Sequence, residues 1–200
     1  MKGSPARLWS LVEERTRPGA DKAAIDRRID DLFGEEWAVM FTDLAGFSRR
    51  VAEFGIIHFL QVIHEQRKLL LPIVAARDGI LIKEEADSFL ALFRRPRTAL
   101  DCALAMQLAC RAANEGRAPE ERILLCVGLG YGRVLRIGDT DVFGAEVNAA
   151  SKLGEDTATA YEVLVTGAVR QAVGEVEGVS FEPLDVAVPG ARSAFRVVSA

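Results

Sequence analysis

The chain has 200 residues, 50% of them hydrophobic and 27% charged, with a formal net charge of −4. That is enough apolar material for one domain core and a short extension, and the acidic balance argues against general affinity for nucleic acid. No apolar run is long enough to cross a bilayer, and the segment Met1-Lys2-Gly3-Ser4-Pro5 lacks the apolar stretch of a signal peptide.

Cys102, Cys110 and Cys126 form no CxxC pair. They read as reduced, buried thiols of a cytoplasmic protein without a membrane partner. Residues 1–36 are expected to be a helical extension and residues 37–200 the main domain. Arg7 to Arg15 is a short amphipathic helix, ended by Arg17-Pro18-Gly19. Ala20 to Leu32 is a second, with Ile25, Ile29 and Leu32 on one stripe. Two readings of this arm stay open: a helical layer packed on the domain, or a dimer-forming or signal-relaying helix.

Trp37 to Phe41 is an apolar, β-prone run that reads as a buried strand. It leads into Asp43 and a small turn, Leu44-Ala45-Gly46, followed by Phe47-Ser48. Small residues let backbone N–H groups approach an anion, and Ser48 is placed to cap a helix. Phe47 to Arg77 then reads as one or two helices, with Pro72 as a kink or turn and Gly79 as the stop. Gly79 to Phe93 is a hairpin that places Asp87 at a strand start. Pro96 to about Asn114 is a helix with Ala99, Ala103, Leu104, Leu108 and Ala112 as its expected buried face. Arg122 to Tyr131 is a strand and Arg133 to Ile137 is expected to pair back on it. Gly144 to Thr157 is a helix, Tyr161 to Thr166 a strand, Ala168 to Val173 a short helix, and two end strands contain Phe181 and Phe195. The order predicts an α+β domain with a mainly antiparallel sheet and helices on one face.

Two carboxylates brought together by the first strand and the hairpin, Asp43 and Asp87, suit a divalent cation carrying a polyphosphate. Three segments carry a resemblance in the right order: Phe41-Thr42-Asp43-Leu44-Ala45-Gly46-Phe47-Ser48, Ile82-Lys83-Glu84-Glu85-Ala86-Asp87, and Asp141 to Leu153 with Val147-Asn148 at its centre. Over roughly residues 37–200 the chain resembles the class III adenylyl/guanylyl cyclase catalytic domain. The resemblance implies a ferredoxin-like βαββαβ core with extra strands and helices, and a head-to-tail homodimer with shared sites. It implies two Mg²⁺ or Mn²⁺ ions per site on Asp43, Asp87 and the Leu44 carbonyl, and phosphate contacts from the N–H groups of Ala45, Gly46, Phe47 and Ser48. Lys83 and Asp141 match the pair that selects adenine, so ATP is the implied substrate and 3′,5′-cyclic AMP the product. Asn148 would orient the ribose, and Lys152 would face the α-phosphate.

The chain departs from the family pattern at four places. Lys152 stands where active members carry Arg, which keeps the charge and loses the two-pronged geometry. Ala86 replaces a Gly before Asp87, and Pro189-Gly190 falls where the family has Lys-Gly, leaving Arg192 or Arg196 as stand-ins. The Gly132–Asp141 connection is short, with Arg136 as a further phosphate-facing candidate. The competing reading is therefore a cyclase-homology module that binds nucleotide and turns over little. A polymerase-like palm shares the two-carboxylate logic, but the acidic charge and short chain argue against it.

Overall fold

The central strand outruns its apolar core. In the structure, a computed structural model describing residues 4–199, β1 spans Gly34–Leu44. It pairs antiparallel with β3 (Ser88–Phe93), from Ala38 opposite Phe93 to Thr42 opposite Phe89. On its other side it pairs antiparallel with β4 (Leu125–Ile137), from Gly34 opposite Leu135 to Leu44 opposite Leu125. β2 (Ile80–Glu85) closes the hairpin with β3. Helices α3 (Phe47–Phe54) and α4 (Ile56–Ala75) connect β1 to β2, and α5 (Pro96–Ala113) connects β3 to β4. The strand order β2-β3-β1-β4 with these crossings is the expected ferredoxin-like βαββαβ core. Beyond β4 the sheet adds β6 (Val163–Thr166) in parallel, then β8 (Ala194–Ser199) and β7 (Val179–Leu184) as an antiparallel pair.

Several expectations are corrected. Arg133 to Ile137 does not fold back: it continues β4 and pairs with Gly34 to Glu36 on one side and β5 (Asp141–Phe143) on the other. Helices cover both faces of the sheet rather than one. Ala38 and Met40 of β1 meet α4 and α5, while Trp37 and Val39 lie in a second cluster with Val147 and Ala150 of α6 (Ala145–Ser151). Successive strand residues point to opposite faces, so an unbroken apolar run needs cover on both. On α5 the buried stripe is Ala99, Cys102, Ala103, Met106 and Cys110, while Leu108 is 68% exposed and Ala112 is also exposed. The apolar residues there surround too much of the helix for spacing alone to fix its orientation. Gly55, in a left-handed conformation, separates α3 from α4, and α4 runs through Pro72 to Ala75. The left-handed stop residue after it is Asp78, not Gly79.

α6 lies directly on the backbone of β4. A Cβ on Gly128 would meet the Ala150 carbonyl at 2.1 Å, and one on Gly130 the Glu146 carbonyl at 2.3 Å. Glu146 ties the start of this helix down by accepting from the Tyr131 N–H (3.0 Å) and the Thr166 hydroxyl (2.7 Å). The expected helix to Thr157 ends as an α-helix at Ser151 and continues as a wider π-helical turn, Lys152–Thr157. Such turns recur at functional positions.

The N-terminal helices α1 (Pro5–Thr16) and α2 (Lys22–Phe33) bury Leu8, Leu11, Ile25, Ile29 and Phe33 against Ile137 of β4. Arg133 of β4 grips Asp30 of α2 through two contacts, 2.7 and 2.6 Å. No helix among the described residues is long and apolar enough to cross a membrane.

Candidate active site

Asp43 stands near the end of β1, opposite Cys126 of β4. Asp87, only 5% exposed, sits in the tight turn between β2 and β3. Two bonds cross between these elements. The Ser88 hydroxyl donates to Asp43 Oδ1 (3.2 Å), and the Leu44 N–H donates to Asp87 Oδ2 (3.2 Å). Burial and the neighbouring Asp87 carboxylate push Asp43 up to about 7, and burial raises Asp87 as well. Two carboxylates held together in a partly dry site disfavour double ionisation, and a cation would relieve this. Among the described residues no group of three or more His, Cys, Asp and Glu side chains could hold a metal ion alone. The donor set is thus two hard oxygen ligands with coordination left for phosphate and water, which fits Mg²⁺ or Mn²⁺.

Lys83 of β2 meets Asp141 of β5, Nζ to Oδ1, at 2.9 Å. The pair lines a cavity of about 230 Å³ together with Phe41, Leu90, Val142 and Phe143, with Ser88, the donor to Asp43, also in its wall. Glu84 and Glu85 flank Lys83 in sequence, but Lys83 turns to Asp141 and Glu84 pairs with Arg67. The cavity offers one donor and one acceptor on apolar walls, a pattern matched to one edge of a flat heterocycle.

The turn after Asp43 differs in detail from the sequence reading. Gly46, left-handed at φ 77°, is the N-cap of α3, so Ser48 lies inside the helix and its side chain is outside the described part of the structure. The Ala45 N–H is used by the Leu124 carbonyl at 2.9 Å. The donors that remain for an anion are the N–H groups of Gly46 and of the first turn of α3, from Phe47 onward.

Asn148 and Lys152, one turn apart on α6 and the π-helical turn, are both exposed and on the face away from β4. Lys152 Nζ pairs with Asp156 at 2.9 Å. The stand-ins for the absent Lys at position 189 fare differently. Arg196 of β8 is held by Glu162, just before β6, at 2.6 Å. Arg192 lines an open cavity with Glu146, Arg170 and Gly190. Arg136 does not face a phosphate site: it lies over the Trp37 ring at 4.7 Å and pairs with Asp139. Arg94 covers the same ring at 3.7 Å and pairs with Glu35.

Two side chains escaped the sequence reading. Ser88 follows Asp87 directly, and only the hairpin geometry shows that its hydroxyl reaches Asp43. Glu155 lines the same cavity as Lys83 and Asp141, and burial raises its carboxyl. The cue for Glu155 was its place three residues beyond Lys152, within the same turn.

The chain belongs to the adenylate and guanylate cyclase catalytic domain family, matching it over residues 34–194. It is 33% identical over 158 residues to an adenylate cyclase of Streptomyces coelicolor (strain ATCC BAA-471 / A3(2) / M145), covering 74% of this chain and 37% of that protein. It is 30% identical over 152 residues to serine/threonine-protein kinase pkn2 of Myxococcus xanthus, covering 76% of this chain and 18% of that one. It therefore spans well under two thirds of the length of either relative. The solved adenylate/guanylate cyclase/hydrolase of Silicibacter pomeroyi superposes with a TM-score of 0.72 at 26% identity, covering 84% of this chain and 98% of that one.

Proposed function

We propose that the chain is an adenylate cyclase domain, converting ATP to 3′,5′-cyclic AMP and pyrophosphate at sites shared across a head-to-tail homodimer. The observation that carries this is that one chain holds both halves of such a site: the Asp43–Asp87 pair, and a cavity with Lys83 and Asp141 as its polar edge that a head-to-tail arrangement would present to the partner's aspartates. The domain boundary falls near residue 34 rather than 37, because Gly34 to Glu36 already pair with β4, and α1 and α2 form the helical extension.

Asp43, Asp87 and the Leu44 carbonyl hold two Mg²⁺ or Mn²⁺ ions, which when bound supply neutralising charge at the phosphates and lower the pKa of the ribose 3′-hydroxyl. In the cavity Lys83 donates to adenine N1 and Asp141 accepts from the N6 amino group. Guanine presents the opposite pattern at that edge. The N–H groups at the start of α3 hold the β- and γ-phosphates. Asn148 orients the ribose, and Lys152 lies against the α-phosphate where negative charge builds. The 3′-oxygen forms its bond to the α-phosphorus as the bond to the pyrophosphate oxygen breaks, and the hydroxyl proton passes to water. One protomer supplies the two aspartates, and its partner supplies the base, ribose and α-phosphate contacts.

A second reading, a nucleotide-binding regulatory or dimerisation module with little turnover, is favoured by one observation. Lys152 is tied to Asp156, and position 189 carries no charge. Purified protein with ATP and Mn²⁺, with product identified by mass spectrometry, separates the two. Cyclic AMP that disappears in Asp43→Ala and Asp87→Ala supports the enzyme. Metal-dependent ATP binding without product supports the module.

A further inference from the structure

The turn that carries Asp87 is not held by its hairpin alone. Ala86, just before it, adopts a left-handed φ of 52°, a conformation that a Cβ disfavours. The β2–β3 pairing is also irregular between Leu81 and Lys83. Support comes from outside the sheet. Gln66 of α4 donates from Nε2 to the Asp87 backbone carbonyl at 2.9 Å. Gln66 is 0% exposed and lies on the stripe of Phe59, Val62, Leu70 and Val74, which is otherwise apolar. Its Oε1 has no hydrogen-bond partner among the described residues.

A buried amide with an orphaned acceptor is unfavourable where leucine or methionine would pack without loss. What the glutamine supplies, and an apolar residue cannot, is a side-chain donor to the Asp87 carbonyl. Asp87 is therefore held twice, at its backbone by Gln66 and at its carboxylate by the Leu44 N–H. We infer that Gln66 is a positioning residue for the divalent-metal site: it clamps the left-handed Ala86–Asp87 turn so that the Asp87 carboxylate faces Asp43. This rests on the metal-dependent reading above. Gln66 touches neither metal nor substrate, and acts only through the turn.

The test is direct Mn²⁺ binding, followed by electron paramagnetic resonance of free Mn²⁺ in the presence of a non-cyclisable ATP analogue, with urea unfolding as a check on folding. Gln66→Met keeps the volume and removes the donor. It is expected to bind Mn²⁺ about tenfold more weakly than the unaltered chain. Ala86→Gly relieves the left-handed strain, so the turn no longer needs the clamp. Alone it should change binding by no more than about twofold, and in Gln66→Met/Ala86→Gly it should recover most of the loss. The Mn²⁺ concentration for half-maximal turnover should move in the same order, with the KM for ATP at saturating Mn²⁺ unchanged. Gln66→Leu replaces the methionine variant if that one fails to fold. Unchanged Mn²⁺ binding in Gln66→Met, or a loss that Ala86→Gly does not repair, overturns the inference. An unaltered chain that binds no Mn²⁺ overturns the metal reading itself, and the inference with it.

Discussion

Lys83 and Asp141 lie 2.9 Å apart across the junction of β2 and β5, each satisfying the other. Both side chains are partly exposed, so the pair adds little to folding. On the adenylate cyclase reading proposed above, its consequence is for recognition: a base entering the cavity would exchange this ion pair for its own donor and acceptor. Asp141→Asn and Lys83→Ala should therefore leave stability within about 0.5 kcal/mol. Each should reduce the preference for ATP over GTP by roughly tenfold or more, read as the ratio of kcat/KM values. An unaltered nucleotide preference in both would remove these residues from the base site.

The aspartate pair predicts a pH dependence of metal binding. Asp43, pushed up to about 7 by burial and by Asp87, has a folded pKa above its unfolded value. Its contribution to stability is fully present below the unfolded pKa and is lost as pH rises through about 7. A divalent cation binds the ionised form and offsets that loss. Differential scanning fluorimetry should show a larger rise in Tm on adding Mn²⁺ at pH 8 than at pH 6. Asp43→Asn should abolish the metal-induced rise while leaving the metal-free protein at pH 8 at least as stable as before.

Lys152 carries the charge expected at the α-phosphate in a single-point form. Replacing it with Arg should raise kcat several-fold, and Lys152→Ala should lower it by about 10²-fold. Its side chain is exposed and it pairs with the exposed Asp156, so urea midpoints should hardly move in either variant. Equal rates in all three forms would place Lys152 outside the reacting centre.

The approach of α6 to β4 should tolerate no side chain at Gly128. Its Cβ would meet the Ala150 carbonyl at 2.1 Å and the Gly154 nitrogen at 2.4 Å. Gly128→Ala should destabilise the domain by about 2–3 kcal/mol through backbone displacement. Because Asn148 and Lys152 ride on the displaced segment, turnover should fall by more than the unfolded fraction explains.

Local chemistry explains what could be read from the sequence. Asp43 and its small turn, the hairpin placing Asp87, and Asn148 four residues before Lys152 are short-range patterns; the strands and the helix that bear Asp43, Asp87 and Asn148 form where expected, while Lys152 falls on the π-helical turn. Cys102 and Cys110 were legible as packing residues because they lie eight apart on an amphipathic helix, and both are buried. What escaped depends on partners distant in the chain. Arg136 could be seen as a free cation but not as the lid of Trp37, ninety-nine residues upstream in the chain (136 minus 37). The continuity of β4 through Gly132 could not be told from a hairpin, since glycine serves either. Ala45 looked available as an anion donor until its N–H met the Leu124 carbonyl. Gln66 left one cue, a lone polar residue in a run of apolar positions spaced at helical intervals.

β4 has one further implication. At one end it is gripped by the amino-terminal helices through Arg133 and Ile137; at the other, Cys126 faces Asp43; β5, with Asp141, hangs from the gripped half. A ribbon bonded along both edges is stiff. A push applied to those helices would travel along it as along a rod, reaching Asp141 first and Asp43 last.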